Sequence, residues 1–231
     1  MIVSVIIKLM EEDRKIYELL KHCPYEIMRQ WKLCEYPGGE TVFRQGDVVD
    51  RLYIIVEGSA DINIVAENGR EYSLAVYRKG DIIGELEIFE RKPFVCNVEA
   101  LTDLKLIGLE REAFFQWLEL DMNVNRQFIK YLSKLFYNLS QKAGDDTLYS
   151  LYHRVCGYLV ECLEQGGKRG GEVQINVNKN QLSSRFAVTQ RSVNRVLQSL
   201  KEKGIIEIRS QDIIIREIAK LREEERTSKM Q

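Results

Sequence analysis

The sequence predicts an α+β protein with an antiparallel double-stranded β-helix of the jelly-roll type, then a long helix, then a C-terminal winged helix-turn-helix. Glycines recur eleven or twelve residues apart from Gly46 to Gly80, in a stretch rich in strand-forming residues. A long segment with helical apolar spacing comes after this stretch. Residues 181–200, QLSSRFAVTQRSVNRVLQSL, have the pattern of two short helices joined by a tight turn.

The predicted barrel covers residues 36–109, where short or alternating apolar runs are separated by turn residues. Asn68-Gly69 indicates a two-residue hairpin, because both positions tolerate a positive φ. Gly46-Asp47 and Gly80-Asp81 indicate further tight turns. Metal-dependent barrel enzymes usually hold their ion with histidines and a carboxylate, and residues 36–109 contain no histidine. We therefore expect no catalytic residue, no metal site and no enzyme.

The long helix is predicted over residues 123–142, after a shorter one over residues 110–120. Its apolar residues form two neighbouring rows, and a helix with a single core contact needs only one. The second row therefore predicts contact with another copy of the chain, the alternative being a helix buried within one subunit. We expect the dimer seam to consist of Phe128, Tyr131 and Leu135, and the neighbouring row of Ile129, Leu132, Phe136 and Leu139 to face the barrel.

Gly144-Asp145-Asp146 predicts a break after the long helix, with a further helix over residues 147–165. A strand at residues 173–177, the helix pair, and two strands at residues 205–209 and 213–216 complete a winged arrangement. The predicted domains are therefore a barrel domain with flanking helices at residues 1–121, a dimerisation helix at 122–143 and a winged helix-turn-helix at 144–231.

The second helix of the pair has apolar residues on one face and polar, basic residues on the other. Val193, Val196, Leu197 and Leu200 are spaced three and four apart, which places them on the buried face. Side chains of the opposite face can reach phosphates and base edges. The predicted DNA-contacting residues are Gln190, Arg191, Ser192, Asn194, Arg195, Gln198, Lys179 and Lys201. The alternative is an ordinary amphipathic helix with a solvated polar face.

The net charge of −1 hides an asymmetry along the 231 residues. Residues 1–143 hold 19 Lys and Arg against 23 Asp and Glu, a net of −4, and the remainder holds 15 against 12, a net of +3. Seven of these basic residues fall between Asn178 and Arg209. Clustering of this kind is typical of a phosphate-contacting surface.

The five cysteines are odd in number and form no C-x-x-C pair, which disfavours both a disulfide framework and a thiolate metal site. Cys96 is a candidate redox switch, with an inert core thiol as the alternative. The apolar start MIVSVIIKLM lacks a basic region and a cleavage site, so we expect neither a signal peptide nor a membrane span. These features predict a cytoplasmic protein with reduced thiols.

In this order, the barrel, the long helix and the winged pair resemble the Crp/Fnr family of bacterial transcription regulators. Three motifs carry the resemblance: GDVVDRLYIIVEG at residues 46–58, GDIIGEL at residues 80–86, and SVNRVL at residues 192–197 followed by Gly204-Ile205-Ile206. The resemblance covers nearly the whole chain. It implies a DNA-binding regulator controlled by an effector in the barrel.

The resemblance further implies that the segment from Gly84, Glu85 and Leu86 onward forms a phosphate-binding cassette for a cyclic nucleotide. The family's Arg-Ser or Arg-Thr pair, which grips the phosphate, is replaced here by Phe94 and Val95. We therefore expect the barrel to bind a small molecule other than cyclic AMP, or to have lost ligand control. We expect no cofactor. The expected pocket is completed by the end of the long helix, at Leu139 and Ser140.

The expected partners are double-stranded DNA with a two-fold symmetric operator, a second copy of the chain, an unknown small effector and, for activation, RNA polymerase. Arg195 matches the family's base-reading arginine, whereas Gln190 and Arg191 replace an Arg-Glu pair and imply an operator of its own. Ala187 stands where the family commonly has a turn glycine. The rival interpretation is a small-molecule-binding signalling protein whose winged helix contacts proteins.

Overall fold

The computed structural model describes residues 2–164, 168–169, 172–176, 179–209 and 212–229. The chain divides into two compact units. The first consists of Met1–Gly69 and Leu74–Tyr137, and the second of Arg70–Ser73 and Asn138–Gln231.

The first part of the chain alternates from helices to strands and back to helices. Three helices come first: α1 (Ile2–Glu12), α2 (Arg14–Leu20) and α3 (Tyr25–Met28). Strands and one short helix follow: β1 (Lys32–Tyr36), β2 (Thr41–Phe43), β3 (Arg51–Glu57), β4 (Ser59–Val65), β5 (Glu71–Arg78), β6 (Ile82–Ile83), α4 (Glu87–Glu90), β7 (Asn97–Ala100) and β8 (Leu104–Glu110). Two helices come next: α5 (Arg111–Leu120) and α6 (Met122–Leu148).

The strands form two four-stranded antiparallel sheets, ordered β1-β8-β3-β6 and β2-β7-β4-β5. Apolar side chains of both sheets share one core, among them Phe43, Ile55 and Leu106. Gly58 joins β3 to β4 with φ +85°, and a Cβ there would lie 2.1 Å from the carbonyl oxygen of Asp103. Only glycine fits this turn. The predicted antiparallel barrel is confirmed.

A second core joins the helices of the first unit to the barrel. Trp31 and Trp117 meet edge to face with ring centroids 6.0 Å apart. Ile6 of α1 and Phe114 of α5 are fully buried in the same cluster, which also includes Phe128 of α6. The apolar N-terminal run is therefore part of the fold, since its α1 helix contributes to this core.

Helix α6 runs without interruption to Leu148, so the predicted break at Gly144 is wrong. A single glycine costs a helix only about 1 kcal/mol relative to alanine. Lys142 and Asp146 form an ion pair of 3.3 Å across it, one helical turn apart. The helix ends instead before Tyr149-Ser150, and α7 (Leu151–Glu164) follows. The chain therefore has no helix end at the predicted boundary of 143/144.

The second unit contains the winged arrangement predicted from the sequence. After α7, its elements are β9 (Lys168–Arg169), β10 (Glu172–Asn176), α8 (Lys179–Phe186), α9 (Gln190–Glu202), β11 (Ile206–Arg209), β12 (Asp212–Ile215) and α10 (Ile218–Ser228). The strands pair in the order β11-β12-β10-β9. The charged C-terminal segment forms the helix α10, and Leu221 on it is fully buried against this core.

Candidate nucleic-acid interface and effector site

Helix α9 is held by its buried face and by a polar cap. Val193, Val196, Leu197 and Leu200 are all buried in the core of the second unit, as the spacing predicts. Thr189 precedes the helix in an extended conformation, and its Oγ1 accepts a hydrogen bond of 3.3 Å from the backbone N–H of Ser192. This satisfies one of the N–H groups that a helix start leaves unpaired.

The predicted DNA-contacting side chains of α9 are brought together on its solvent face. Gln190, Arg191, Asn194, Arg195, Gln198 and Lys201 are all exposed. Within the described part of the chain, the side chains of Arg191, Asn194, Arg195 and Lys201 form no hydrogen bond or ion pair. A row of unpaired donors on one helix face matches the geometry by which helices read the major groove.

Of the predicted residues, Ser192 and Gln198 have partners within the chain, and the side chain of Lys179 is not among those described. The Oγ of Ser192 lies 3.0 Å from Oγ1 of Thr189, so it contributes to the cap. Gln198 donates a hydrogen bond of 3.1 Å to Glu202. Lys179 begins α8, but its side chain lies outside the described residues.

Several basic residues of the cluster seen in the sequence are paired with carboxylates in the structure. Arg185 pairs with Glu161, Lys203 with Glu224 and Arg209 with Glu207, at N–O distances of 3.0, 2.7 and 2.5 Å. An arginine or lysine whose charge is matched by a carboxylate contributes less to a field that attracts phosphate. The positive charge offered by α9 is therefore that of Arg191, Arg195 and Lys201.

The turn between α8 and α9 is completed without glycine. Ala187 adopts a left-handed conformation with φ +52°. The N–H of Val188 donates to the carbonyl of Ser183, and the N–H of Ala187 donates to that of Ser184, at 3.1 and 3.2 Å. This pair of bonds is the Schellman ending of a helix, in which glycine usually takes the left-handed position.

In the first unit, the expected phosphate-binding cassette contains a buried acid. Gly84 has φ +84°, and a Cβ there would lie 2.8 Å from the carbonyl oxygen of Arg51. The next residue, Glu85, is only 7% exposed, and its Oε1 accepts a hydrogen bond of 2.9 Å from the hydroxyl of Tyr77. Burial raises the pKa of Glu85 from 4.5 to about 7, and the Tyr77 hydrogen bond opposes that rise.

Tyr131 of α6 contributes a second hydroxyl beside this acid. It accepts from the N–H of Ile82 and donates to the Ile82 carbonyl, at 2.9 and 3.1 Å. Burial, and after it the charge of Glu85, raises the pKa of both Tyr131 and Tyr77. The acid that the resemblance assigns to a ligand therefore lies among the protein's own hydroxyls. Nothing in the sequence pattern signals this arrangement beyond the presence of tyrosines in β5 and α6.

Phe94 and Val95 occupy opposite environments. Phe94 is buried, and its ring stacks on Phe43 with centroids 5.1 Å apart and an interplanar angle of 6°. Val95 is 55% exposed, and Leu86 is exposed as well, so neither lines the barrel interior as expected. Leu86 is the N-cap of α4, and Arg91, which ends this helix, has a left-handed conformation. Leu139 and Ser140 are exposed and belong to the second unit.

Of the residues of the predicted dimer seam, Phe128 is buried within its own chain. Phe128 is 3% exposed, and its ring lies 5.3 and 5.6 Å from those of Phe114 and Phe89 within the same chain. Tyr131 is engaged with Ile82, and Leu135 is half-buried. The neighbouring row is the exposed one, with Ile129 at 64% and Phe136 at 74%.

Cys96 has the environment of an inert thiol. Its side chain is half-buried, and burial raises its pKa to about 11. Reactive cysteines have the opposite shift, because the thiolate is the nucleophile. Within the described residues, no group of three or more His, Cys, Asp or Glu side chains could hold a metal ion. No helix in the same ranges is long and apolar enough to span a membrane.

Two family models match the two parts of the chain that carry these features. The cyclic nucleotide-binding domain matches residues 33–121, and the Crp-like helix-turn-helix domain matches residues 153–224. The chain belongs to the Crp/Fnr family of transcription regulators. The resemblance deduced from its sequence motifs is confirmed.

Similar Crp/Fnr proteins extend over most of the chain. The CRP-like cAMP-activated global transcriptional regulator of Mycobacterium tuberculosis is 24% identical over 198 residues, covering 84% of this chain and 88% of the relative. The cAMP-activated global transcriptional regulator CRP of Salmonella typhimurium is 23% identical over 208 residues, covering 89% and 95%. These relatives are regulators, not enzymes.

Solved structures share the fold. A transcriptional regulator of the CRP/FNR family from Thermus thermophilus matches with a TM-score of 0.71 and 20% identity, covering 85% of this chain and 100% of the other. A CooA mutant from Carboxydothermus hydrogenoformans matches with a TM-score of 0.72 and 17% identity, covering 89% and 93%. The Crp/Fnr architecture is therefore the architecture of this chain.

Proposed function

We propose that the protein is a dimeric, sequence-specific DNA-binding regulator whose barrel responds to a signal other than cyclic AMP. The observation that carries this proposal is the row of Arg191, Asn194, Arg195 and Lys201 on the solvent face of α9, whose side chains form no hydrogen bond or ion pair among the described residues. Arg195 is suited to guanine O6 and N7, and Gln190 to adenine. Arg191 and Lys201 supply charge for phosphate contacts. Such a regulator works in the cytoplasm, with RNA polymerase as the further partner of an activator.

The dimer surface that we propose is the exposed face of α6, not the predicted seam. Met122, Ile129 and Phe136 are all exposed and lie seven residues apart, which aligns them along one side of the helix. Leu139 is exposed as well, whereas Leu132 is half-buried against the core of the first unit. Apolar rows at this spacing are stabilised by packing against another helix. A two-fold operator then needs half-sites about 34 Å apart.

We propose that the effector of the barrel is a small molecule other than a cyclic nucleotide. Phe94 provides neither the charge nor the donors with which an arginine holds a phosphate. Glu85 is buried, and its Oε1 accepts a hydrogen bond from Tyr77 within the protein. A small apolar or aromatic molecule suits the ring-lined core around Phe94 and Phe43 better. Isothermal titration with cyclic AMP and cyclic GMP tests this, with no measurable binding expected; tight binding of either would overturn it.

DNA binding is tested by gel shift with two duplexes of equal length. One is selected from a random pool with the wild-type protein, and the other has a random sequence. Arg195→Ala is expected to weaken binding to the selected duplex about 10- to 100-fold, because one bidentate base contact gives about 1–3 kcal/mol of discrimination. Binding to the random duplex should stay nearly the same and remain salt-sensitive.

The matched control is Arg222→Ala, which removes the same charge from an exposed position on α10. It should leave both affinities unchanged. Equal effects of the two substitutions would contradict a reading role for Arg195. A wild-type protein that binds neither duplex at low salt would contradict DNA binding and favour a winged helix that contacts proteins.

A further inference from the structure

The C-terminal end of α8 is satisfied by side chains from other helices. A helix leaves its last four carbonyls without partners inside the helix. In α8 these belong to Ser183, Ser184, Arg185 and Phe186. The turn satisfies the first two, through the N–H groups of Val188 and Ala187. The last two are left for groups outside the turn.

Two cations supply the missing donors. The Nζ of Lys142, on α6, donates to the carbonyl of Arg185 at 3.2 Å. The Nη1 of Arg154, on α7, donates to the carbonyl of Phe186 at 3.4 Å, and its guanidinium lies over the Phe186 ring. Cations are favoured at a helix C-terminus, where the carbonyl dipoles give a partial negative charge.

Asp146 holds both cations in place. Its Oδ1 accepts from Nη1 of Arg154 at 2.7 Å, and its Oδ2 lies 3.3 Å from Nζ of Lys142. Tyr72, which belongs to the same unit, donates its hydroxyl to Oδ2. The side chains of Lys142, Asp146 and Arg154 are only 22, 19 and 13% exposed. At this depth an ion pair is screened less than at the surface, and loss of one partner is costly.

On the basis of the DNA-binding role proposed above, we propose that Asp146 is a positioning residue for DNA reading. Through Lys142 and Arg154 it fixes the end of α8, and thereby the Ala187 turn from which α9 departs. Lys142 and Asp146 lie on α6, the helix that also carries the proposed dimer face. A rotation of α6 about its axis would move Lys142 away from the end of α8 and Asp146 away from Arg154 on α7. The state of α6 would then set how well α9 fits the groove.

The test compares Asp146→Asn with Asp145→Asn, which removes the same charge from the adjacent, exposed position. Two quantities are measured for each variant. One is the ratio of affinities for a selected duplex and a random duplex of equal length. The other is the amide hydrogen exchange rate of Ala187 and Val188, whose N–H groups form the turn. Asp146→Asn is expected to lower the ratio about tenfold and to speed both amides, and Asp145→Asn to change neither.

The proposal would be overturned if the Asp146→Asn variant had the same affinity ratio and the same amide exchange rates as the Asp145→Asn variant. If Asp146→Asn fails to fold, Lys142→Met takes its place, because it keeps the apolar stem and removes only one of the two caps. It should lower the affinity ratio about threefold, and an unchanged ratio would count against the proposal. A wild-type protein that binds neither duplex contradicts the proposed function instead, and the exchange rates then decide the capping role alone.

Discussion

The hydroxyl of Tyr77 lies 2.9 Å from Oε1 of Glu85 and donates a hydrogen bond to this buried carboxyl group. In a chain whose family model is a cyclic nucleotide-binding domain, that acid is satisfied from within the protein. A buried carboxylate needs such a partner, because its transfer from water is otherwise too costly. Glu85 therefore has a hydrogen-bond partner within the first unit.

Tyr77→Phe should destabilise the first unit by about 1–3 kcal/mol, because it leaves Glu85 buried without its hydroxyl donor. It should also raise the pKa of Glu85 further, since the Tyr77 hydrogen bond favours the charged form. Urea unfolding measures the loss. Tyr25→Phe, on an exposed tyrosine, is the control and should change stability little. Equal effects would show that the Tyr77 hydroxyl is not a structural donor.

Glu85→Gln should change how stability depends on pH. The pKa of Glu85 is raised from 4.5 to about 7, so between these values the folded state holds a proton that the unfolded chain has released. The stability that this bound proton gives the folded state is fully present below pH 4.5 and is lost as the pH rises through about 7. The amide has no charge to bury. The free energy of unfolding of the variant, relative to that of the wild type, should therefore be about 2 kcal/mol higher at pH 8 than at pH 5.

Unfolding at pH 5 and pH 8 measures this difference. Glu119→Gln, at an exposed position, provides the control and should follow the wild type at both values. A Glu85→Gln variant whose difference from the wild type is the same at both pH values would contradict the raised pKa.

Ala187→Gly should stabilise the second unit by about 0.5–1 kcal/mol. A left-handed conformation costs an alanine about 1–2 kcal/mol, part of which is offset because glycine gives the unfolded chain more freedom. Thermal or urea unfolding gives the value. Ala143→Gly, inside the C-terminal part of α6, makes the same chemical change at an exposed helical position and should lower stability by about 1 kcal/mol. The same sign for both substitutions would contradict the strained turn.

Phe136→Asp should abolish the proposed dimer, because it places a carboxylate within the exposed apolar face of α6. Sedimentation equilibrium measures the mass of the particle across a range of concentrations. Tyr25→Asp, on another exposed aromatic residue, should leave the dimer intact. A Phe136→Asp protein that remains a dimer would place the subunit contact elsewhere.

Local patterns in the sequence predicted the winged pair well. Val193, Val196, Leu197 and Leu200 all have the burial that their spacing indicates, because one core lies on one side of α9. In α6 the spacing also predicted two rows, but not which row is buried. Which row is buried depends on Phe89 and Phe114, which are distant in sequence and whose rings pack against Phe128. Spacing along a helix carries no information about such neighbours.

The residues of the candidate sites also differ in whether the sequence alone predicts them. The exposed residues of α9 follow from helical geometry, whereas the partners of Glu85 and Asp146 depend on contacts between elements. Tyr77 meets Glu85 only because β5 and the cassette lie side by side in the fold. Arg154 meets the end of α8 only after both helices pack on a common core. Gly144, which suggested a break, lies between Lys142 and Asp146 in the intact helix.

The exposed apolar row of α6 also bears on gene dosage. A chain that leaves Ile129 and Phe136 in water is only half of the species that would bind a two-fold operator. Below the dissociation constant of the dimer, the amount of that species rises with the square of the number of chains in the cell. A threefold change in synthesis would then change the amount of dimer about ninefold, and while most operators are free their occupancy would follow it, so the rate of synthesis would itself regulate DNA binding.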